Sequence, residues 1–104
     1  MRRGEVWWAA LQQPAGRRPV LLLSRDVVYR VRKSATVAPL TRTIRDIPTE
    51  VPVDRTDGIP RKSVVRLDDL VTIPLAVLTR RITTLSVTQM REVDAAIRYA
   101  IDLS

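Results

Sequence analysis

The 104-residue chain contains neither cysteine nor histidine. Without cysteine there is no disulfide framework, no thiolate nucleophile and no Cys-ligated zinc or iron–sulfur site. Without histidine there is no Ser–His–Asp or Cys–His constellation and no imidazole acid–base pair. Any chemistry is left to Arg, Lys, Ser, Thr, Tyr, carboxylates and the backbone. Aromatic residues are scarce, with two Trp, two Tyr and no Phe, so aliphatic side chains must build the core. Three glycines, and neither G-x-x-x-x-G-K-[ST] nor G-x-G-x-x-G, leave little backbone to cradle a nucleotide phosphate. No apolar run approaches the roughly 18–20 residues that cross a bilayer. The apolar stretch 6–11 behind Arg2-Arg3 stops at Gln12-Gln13-Pro14, short of a signal h-region. A soluble cytoplasmic protein with no cofactor is expected. Asp68-Asp69 is the only adjacent acidic pair, with no third carboxylate near it in sequence, so a turn is expected there and no metal site.

What is present is globular. Hydrophobic residues make up 45% of the chain and charged residues 28%. One domain over 1–104 is expected, burying roughly 65% of its extended-chain surface. The net charge of +7 is unevenly placed. Residues 1–62 carry 13 basic and 6 acidic side chains, whereas 63–104 carry 5 of each. The excess falls in clusters at Arg2-Arg3, Arg17-Arg18, Arg30 to Lys33, Arg42/Arg45 and Arg61-Lys62. Basic clusters separated by strands can converge on one face and neutralise phosphates. Sixteen of the 18 basic residues are Arg, the better side chain for bidentate phosphate contact.

Residues 5–11 read as a strand around Val6-Trp7-Trp8, and Gln13-Pro14-Ala15-Gly16 as a loop. Val20-Leu21-Leu22-Leu23 is a continuous apolar run, the pattern of a strand buried on both faces. Residues 25–33 form a polar connection with room for a helical turn. Further strands are expected over 35–40, 49–53, 63–67 and 80–85, with a short apolar segment at 74–78. Pro48 and Pro52 argue that 49–53 is an edge strand, and Asp57-Gly58 marks a turn. Ser86 with Gln89 reads as a capping box, and Leu85 with Met90 as a hydrophobic staple. Met90, Val93, Ile97, Ala100 and Ile101 then recur at helical spacing, predicting an amphipathic helix over 87–103. The fold class is β-rich α+β: a small, strongly bent sheet or barrel of five to seven strands with short helices and a C-terminal amphipathic helix.

Two segments stand out. In Gly16-Arg17-Arg18-Pro19-Val20 an arginine sits at the mouth of an apolar strand, followed by a proline that stiffens the backbone. In Pro39-Leu40-Thr41-Arg42-Thr43 two hydroxyls and a cation follow a buried strand. Either can be ordinary strand-end or capping chemistry; either can hold a phosphodiester.

Read together, several stretches resemble the MazF/PemK family of toxin endoribonucleases from bacterial toxin–antitoxin systems. They are Arg3-Gly4-Glu5-Val6-Trp7, Arg18-Pro19-Val20-Leu21-Leu22-Leu23-Ser24-Arg25-Asp26, Val37-Ala38-Pro39-Leu40-Thr41, Ile47-Pro48-Thr49-Glu50-Val51 and Ser63-Val64-Val65-Arg66-Leu67-Asp68, with Thr72-Ile73 and residues 78–85. The resemblance runs along almost the whole chain. It implies an SH3-like, PemK-like barrel, a homodimer, and metal-independent cleavage of single-stranded RNA that inhibits translation and growth. It also implies an acidic, MazE-like antitoxin partner, which a +7 surface would attract. The family's catalytic pair falls on Arg18 and Thr41. Weaker candidates for RNA contact are Arg17, Ser24, Arg25, Arg30, Arg32, Lys33, Arg42 and Thr43. In the family the 2′-hydroxyl attacks the adjacent phosphorus, leaving a cyclic phosphate and a 5′-hydroxyl. Arg18 suits charge compensation and is a poor base, since a guanidinium does not give up its proton in a protein; Thr41 would position the phosphate. The base stays open among Glu50, Asp54 and a positioned water. Two departures bear on substrate preference: the loop before Arg18 is shortened to Pro14-Ala15-Gly16, and Lys62 stands where an acidic residue often precedes the Ser-Val-Val strand. A non-catalytic nucleic-acid-binding barrel and a gyrase-poisoning toxin share the fold and remain as alternatives.

Overall fold

A computed structural model describes residues 1–14 and 16–103. Seven strands form one antiparallel sheet: β1 (Glu5–Ala10), β2 (Arg17–Leu22), β3 (Ser34–Thr41), β4 (Glu50–Val53), β5 (Ser63–Arg66), β6 (Val71–Pro74) and β7 (Leu78–Thr84). Their order is β4-β5-β3-β2-β1-β7, with β6 paired to the first half of β3. The short helix α1 (Val28–Val31) joins β2 to β3, and α2 (Val87–Ala100) closes the chain.

β2 organises the interior because it is apolar on both faces. Leu21 packs with Val6, Ala38, Leu40 and Val65, while Val20 and Leu22 pack with Ala9, Val37 and Ile73 on the other side. β4 lies at the sheet edge, as Pro52 within it and Pro48 just before it predict. Among the described residues no ladder joins β7 to β4, so the sheet is bent but not closed into a full barrel. α2 follows β7 and lies against that open side, with Val93 and Ala96 buried in the Leu21 cluster.

The capping expectations are met in an altered form. The Ser86 hydroxyl accepts from the Gln89 N–H (3.1 Å), but the Gln89 amide does not return to Ser86. It donates instead to Asp57 (2.9 Å) and to the Pro52 carbonyl (3.4 Å), tying α2 to β4 and to the 3-10 turn Arg55–Asp57. That turn carries the reciprocal capping box, between Asp54 and Asp57. Leu85 is buried, and Met90 packs against the same cluster, as a staple requires. The helix stops at Ala100, earlier than its apolar period suggests. Leu103 N–H reaches the Arg98 carbonyl (2.7 Å) and Asp102 N–H the Tyr99 carbonyl (3.2 Å), a Schellman ending with Asp102 left-handed at φ 58°. β6 is the strand that periodicity missed. Only Ile73 of its four residues is buried, too short a pattern to alternate visibly. The Asp68-Asp69 pair sits in the turn after β5, where Thr49 donates to Asp68 (3.2 Å) and Arg66 pairs with Asp69 (3.4 Å).

Candidate active site

Strand register brings the two singled-out segments together. β2 and β3 pair as Val20↔Pro39, Leu21↔Ala38 and Leu22↔Val37. Continued two residues toward the rim, that register sets Arg18 opposite Thr41, on strands about 4.8 Å apart. On the other side of β3, Thr41 pairs with Val64. The strand ends border an open cleft of about 790 Å³.

The cleft is cationic. Arg17, Arg18, Arg42 and Arg61 line it, with the hydroxyls of Thr41, Thr43 and Ser63 between them. Among the described residues no carboxylate lines it, and the ion pairs lie elsewhere: Arg3–Asp94, Arg66 with Glu50 and Asp69, and Arg81–Glu5. Four guanidinium groups are therefore left to an anion from outside. The apolar part of the lining comes from Trp8, Pro19, Leu40, Ile59 and Pro60. Thr41 has a defined hydroxyl: its oxygen accepts from the Thr43 N–H at 3.2 Å, which leaves its own proton to donate. Arg17 lies over the Trp8 ring, 4.3 Å from its centroid.

The other residues singled out in the sequence divide. Arg17, Arg42 and Thr43 join Arg18 and Thr41. Ser24, Arg25 and Arg32 line a separate, smaller hollow of about 260 Å³ at the start of β3, with Thr36 and Thr72. The length of β3, Ser34 to Thr41, separates the two by about 23 Å at 3.3 Å per residue. There the Ser24 hydroxyl accepts from the Thr36 N–H (2.9 Å). Tyr29 lies nearby, its phenol raised above the ordinary value by burial; Ser24 offsets part of that rise, but no partner reaches hydrogen-bonding geometry among the described residues. Arg30 and Lys33 are exposed on the α1 connection and line neither hollow.

Neither carboxylate considered as a base lines the cleft. The Glu50 side chain is only 2% exposed. Its Oε1 accepts from the backbone N–H groups of Arg45 (2.9 Å) and Asp46 (3.1 Å), and its Oε2 lies 3.8 Å from Arg66. It anchors the loop after β3. Asp54 caps the 3-10 turn, where hydrogen bonds from the Thr56 hydroxyl (2.7 Å) and N–H (2.9 Å) hold its carboxyl below the usual range. The loop before Arg18 turns tightly, with Leu11 N–H on the Gly16 carbonyl (3.0 Å). Ala15 lies outside the described residues, and none of the described residues 12–16 lines the cleft.

Sequence reasoning missed Trp8, Ile59, Pro60, Arg61 and Ser63 as cleft residues. Their signal was partial: Arg61-Lys62 is a basic cluster and Asp57-Gly58 a turn. That the turn folds residues 59–63 back onto the end of β3 follows only from the pairing of β5 with β3 and β4.

The family model described as "PemK-like, MazF-like toxin of type II toxin-antitoxin system" matches residues 2–101. A Mycobacterium tuberculosis protein named probable endoribonuclease MazF5 is 43% identical over 103 residues, covering 98% of this chain and 94% of that protein. Endoribonuclease EndoA of Bacillus subtilis is 34% identical over 111 residues, covering 99% and 96%. Among solved structures, Mycobacterium tuberculosis toxin MazF-mt6 superposes with a TM-score of 0.88 at 41% identity, covering 96% of this chain and 98% of that one. An endoribonuclease in complex with its cognate antitoxin from a mycobacterial species has the same fold, with a TM-score of 0.88 at 24% identity and coverage of 100% and 97%.

Proposed function

The chain belongs to the PemK-like, MazF-like family of type II toxins, and from that membership and the chemistry of its cleft we propose that it is a sequence-specific endoribonuclease cutting single-stranded RNA without a metal ion. The observation that carries the reading is the Arg18/Thr41 juxtaposition inside a cleft of four guanidinium groups, three hydroxyls and, among the described residues, no carboxylate. Such a lining fits a polyanion and offers no hard oxygen ligand set for a divalent cation.

The reaction is internal transfer. The ribose 2′-oxygen attacks the adjacent phosphorus and loses its proton, the bond from phosphorus to the 5′-oxygen breaks, and that oxygen gains a proton. A 2′,3′-cyclic phosphate and a 5′-hydroxyl remain. Arg18, half-buried and without an ion-pair partner among the described residues, faces the charge that grows on the non-bridging oxygens. Thr41 donates its free proton to the same phosphate and holds it in line. Of the three candidate bases, a positioned water fits the cleft best, because Glu50 and Asp54 are committed elsewhere. Arg17, Arg42, Thr43 and Arg61 track the flanking phosphates. The outlying Ser24, Arg25 and Arg32 mark where a longer strand would continue, with Arg30 and Lys33 beside them.

In the cell we read the chain as the toxin of a toxin–antitoxin pair. It acts as a homodimer in the cytoplasm, inhibits translation and growth by cutting RNA, and is neutralised by an acidic antitoxin that its positive surface attracts. No helix among the described residues is long and apolar enough to cross a membrane. The test is incubation of purified protein with single-stranded RNA in EDTA, followed by analysis of the product ends. Cyclic-phosphate and 5′-hydroxyl ends support the proposal. RNA retention without fragments would indicate a non-catalytic binding barrel, and trapped cleaved DNA with intact RNA a gyrase-directed toxin.

A further inference from the structure

The chain has four aromatic residues, and three have evident structural places. Trp7 packs against the Leu22 cluster and its indole N–H donates to Glu5 at 3.0 Å. Tyr29 packs against the same cluster, and Tyr99 lies on the exposed face of α2. Trp8 belongs to neither apolar cluster and instead borders the cleft.

Its placement is built into the sheet. β1 pairs with β2 in regular register, Trp8 opposite Pro19. Against β7 the register slips by one residue between Val6 and Trp7 and again between Trp8 and Ala9. Such irregularities re-aim the side chains they bracket. On the β2 side Trp8 has Arg17 as its diagonal neighbour, within reach of a long side chain. The guanidinium over the ring covers the π face with a solvent-exposed cation. A flat apolar ring, in a cationic groove, capped by a group that itself seeks phosphate, is the combination that binds single-stranded nucleic acid by stacking.

We propose that Trp8 is a stacking platform for one nucleobase next to the scissile phosphate, and that Arg17 covers the ring in the free protein and moves to the RNA backbone when the base takes its place. The inference rests on the RNA-cleaving reading and adds to it a residue that positions the substrate. Trp8 lies two strands from Thr41, about 10 Å across the sheet, so the base concerned flanks the cut. Stacking recognises any π face, so Trp8 sets where the strand is held, and hydrogen-bonding groups elsewhere set which base is accepted.

The test is a coupling cycle on the intact protein. The cut site is first mapped with the wild type. A short single-stranded RNA carrying that site, with a 2′-deoxy nucleotide at the attacking position to prevent cleavage, is then titrated by fluorescence anisotropy. Each nucleotide flanking the cut is made abasic in turn. In the wild type one abasic position should weaken binding by about 5- to 150-fold, the range of base–aromatic stacking. In Trp8→Leu, which keeps apolar bulk but no π face, the unmodified RNA should bind as weakly, and the abasic change should add less than about twofold. Trp8→Phe, which restores a π face, should recover both the affinity and the abasic sensitivity; urea midpoints of both variants establish that they are folded. Additive effects of Trp8→Leu and every abasic position would overturn the platform while leaving the endoribonuclease reading intact. A wild type that cuts no RNA would overturn both.

Discussion

Replacing Glu50 by Gln separates an anchoring role from a catalytic one. Two backbone N–H groups of the loop after β3, those of Arg45 and Asp46, converge on one oxygen of a side chain only 2% exposed. Gln keeps that oxygen and its shape but removes the charge. Two charge-assisted hydrogen bonds, worth about 1.5–3 kcal/mol each, become neutral ones worth about 0.5–1.5. The amide nitrogen then faces the Arg66 guanidinium, donor against donor, although Arg66 retains Asp69 at 3.4 Å. The sum is a loss of about 2–4 kcal/mol. With a urea slope of about 1–3 kcal/mol per molar for a domain of this size, the midpoint should fall by about 0.7–4 M at fixed protein concentration. Below the transition, RNA cleavage should stay within about tenfold of wild type, since Glu50 acts on the cleft only through the 42–46 loop. Loss of general base catalysis would instead cost about 10²–10⁴ in rate with folding untouched. An unchanged urea midpoint with cleavage reduced by more than a hundredfold would refute the anchor and restore Glu50 as the base.

Other consequences are as specific. Gly58 has φ 85°, and a Cβ there would collide with the Thr83 side chain on β7; Gly58→Ala should cost about 2–5 kcal/mol from left-handed strain and overpacking, read as a lower urea midpoint. The Tyr29 hydroxyl is buried without a hydrogen-bond partner among the described residues, so Tyr29→Phe should leave stability within about 1 kcal/mol or raise it. Burial lifts the phenol above its ordinary value of 10.0, so the folded state holds the proton after the unfolded chain has lost it. That contribution is complete below pH 10 and disappears as pH rises through the folded value, and Tyr29→Phe should flatten this alkaline decline in a pH series of melts. If the four cleft arginines each neutralise a phosphate, the slope of log K against log salt for single-stranded RNA should be about −3, and Arg61→Ala should reduce its magnitude by about 0.7. An unaltered slope would take Arg61 off the RNA track.

Legibility from sequence followed how local the signal was. Val20 to Leu22 announced β2 because both faces of the strand are apolar, and α2 announced itself by a period carried through Met90, Val93 and Ile97. β6 was silent because one buried residue makes no pattern. The Arg18/Thr41 pair lies 23 positions apart in sequence, and nothing in either segment alone joins them; family resemblance linked them, and the β2–β3 register gives that link a geometry. Trp8 and Arg61 were illegible for the complementary reason. An aromatic in a strand reads as core until its diagonal neighbour on the next strand proves to be an arginine, and Arg61 reaches the cleft only through the turn at Gly58. Glu50 was ambiguous because an acidic residue in a basic region has the same sequence signature whether it serves a substrate or, as its hydrogen bonds here place it, two loop amides. Ser24, Arg25 and Arg32 show the converse, a hydroxyl and two cations that folding sends to the opposite end of β3.

The central claim is that Arg18 and Thr41 act together on the phosphodiester without a metal. The direct measurement is single-turnover cleavage of a mapped RNA in EDTA by wild type, Arg18→Ala and Thr41→Ala, each with its urea midpoint. The wild type should cut, and Arg18→Ala should be slower by at least about 10²–10³, the cost of removing one group aimed at developing negative charge. Thr41→Ala should also be impaired, and both variants should remain folded. Cleavage by Arg18→Ala at near wild-type rate, or wild-type cleavage that stops in EDTA, would contradict the account.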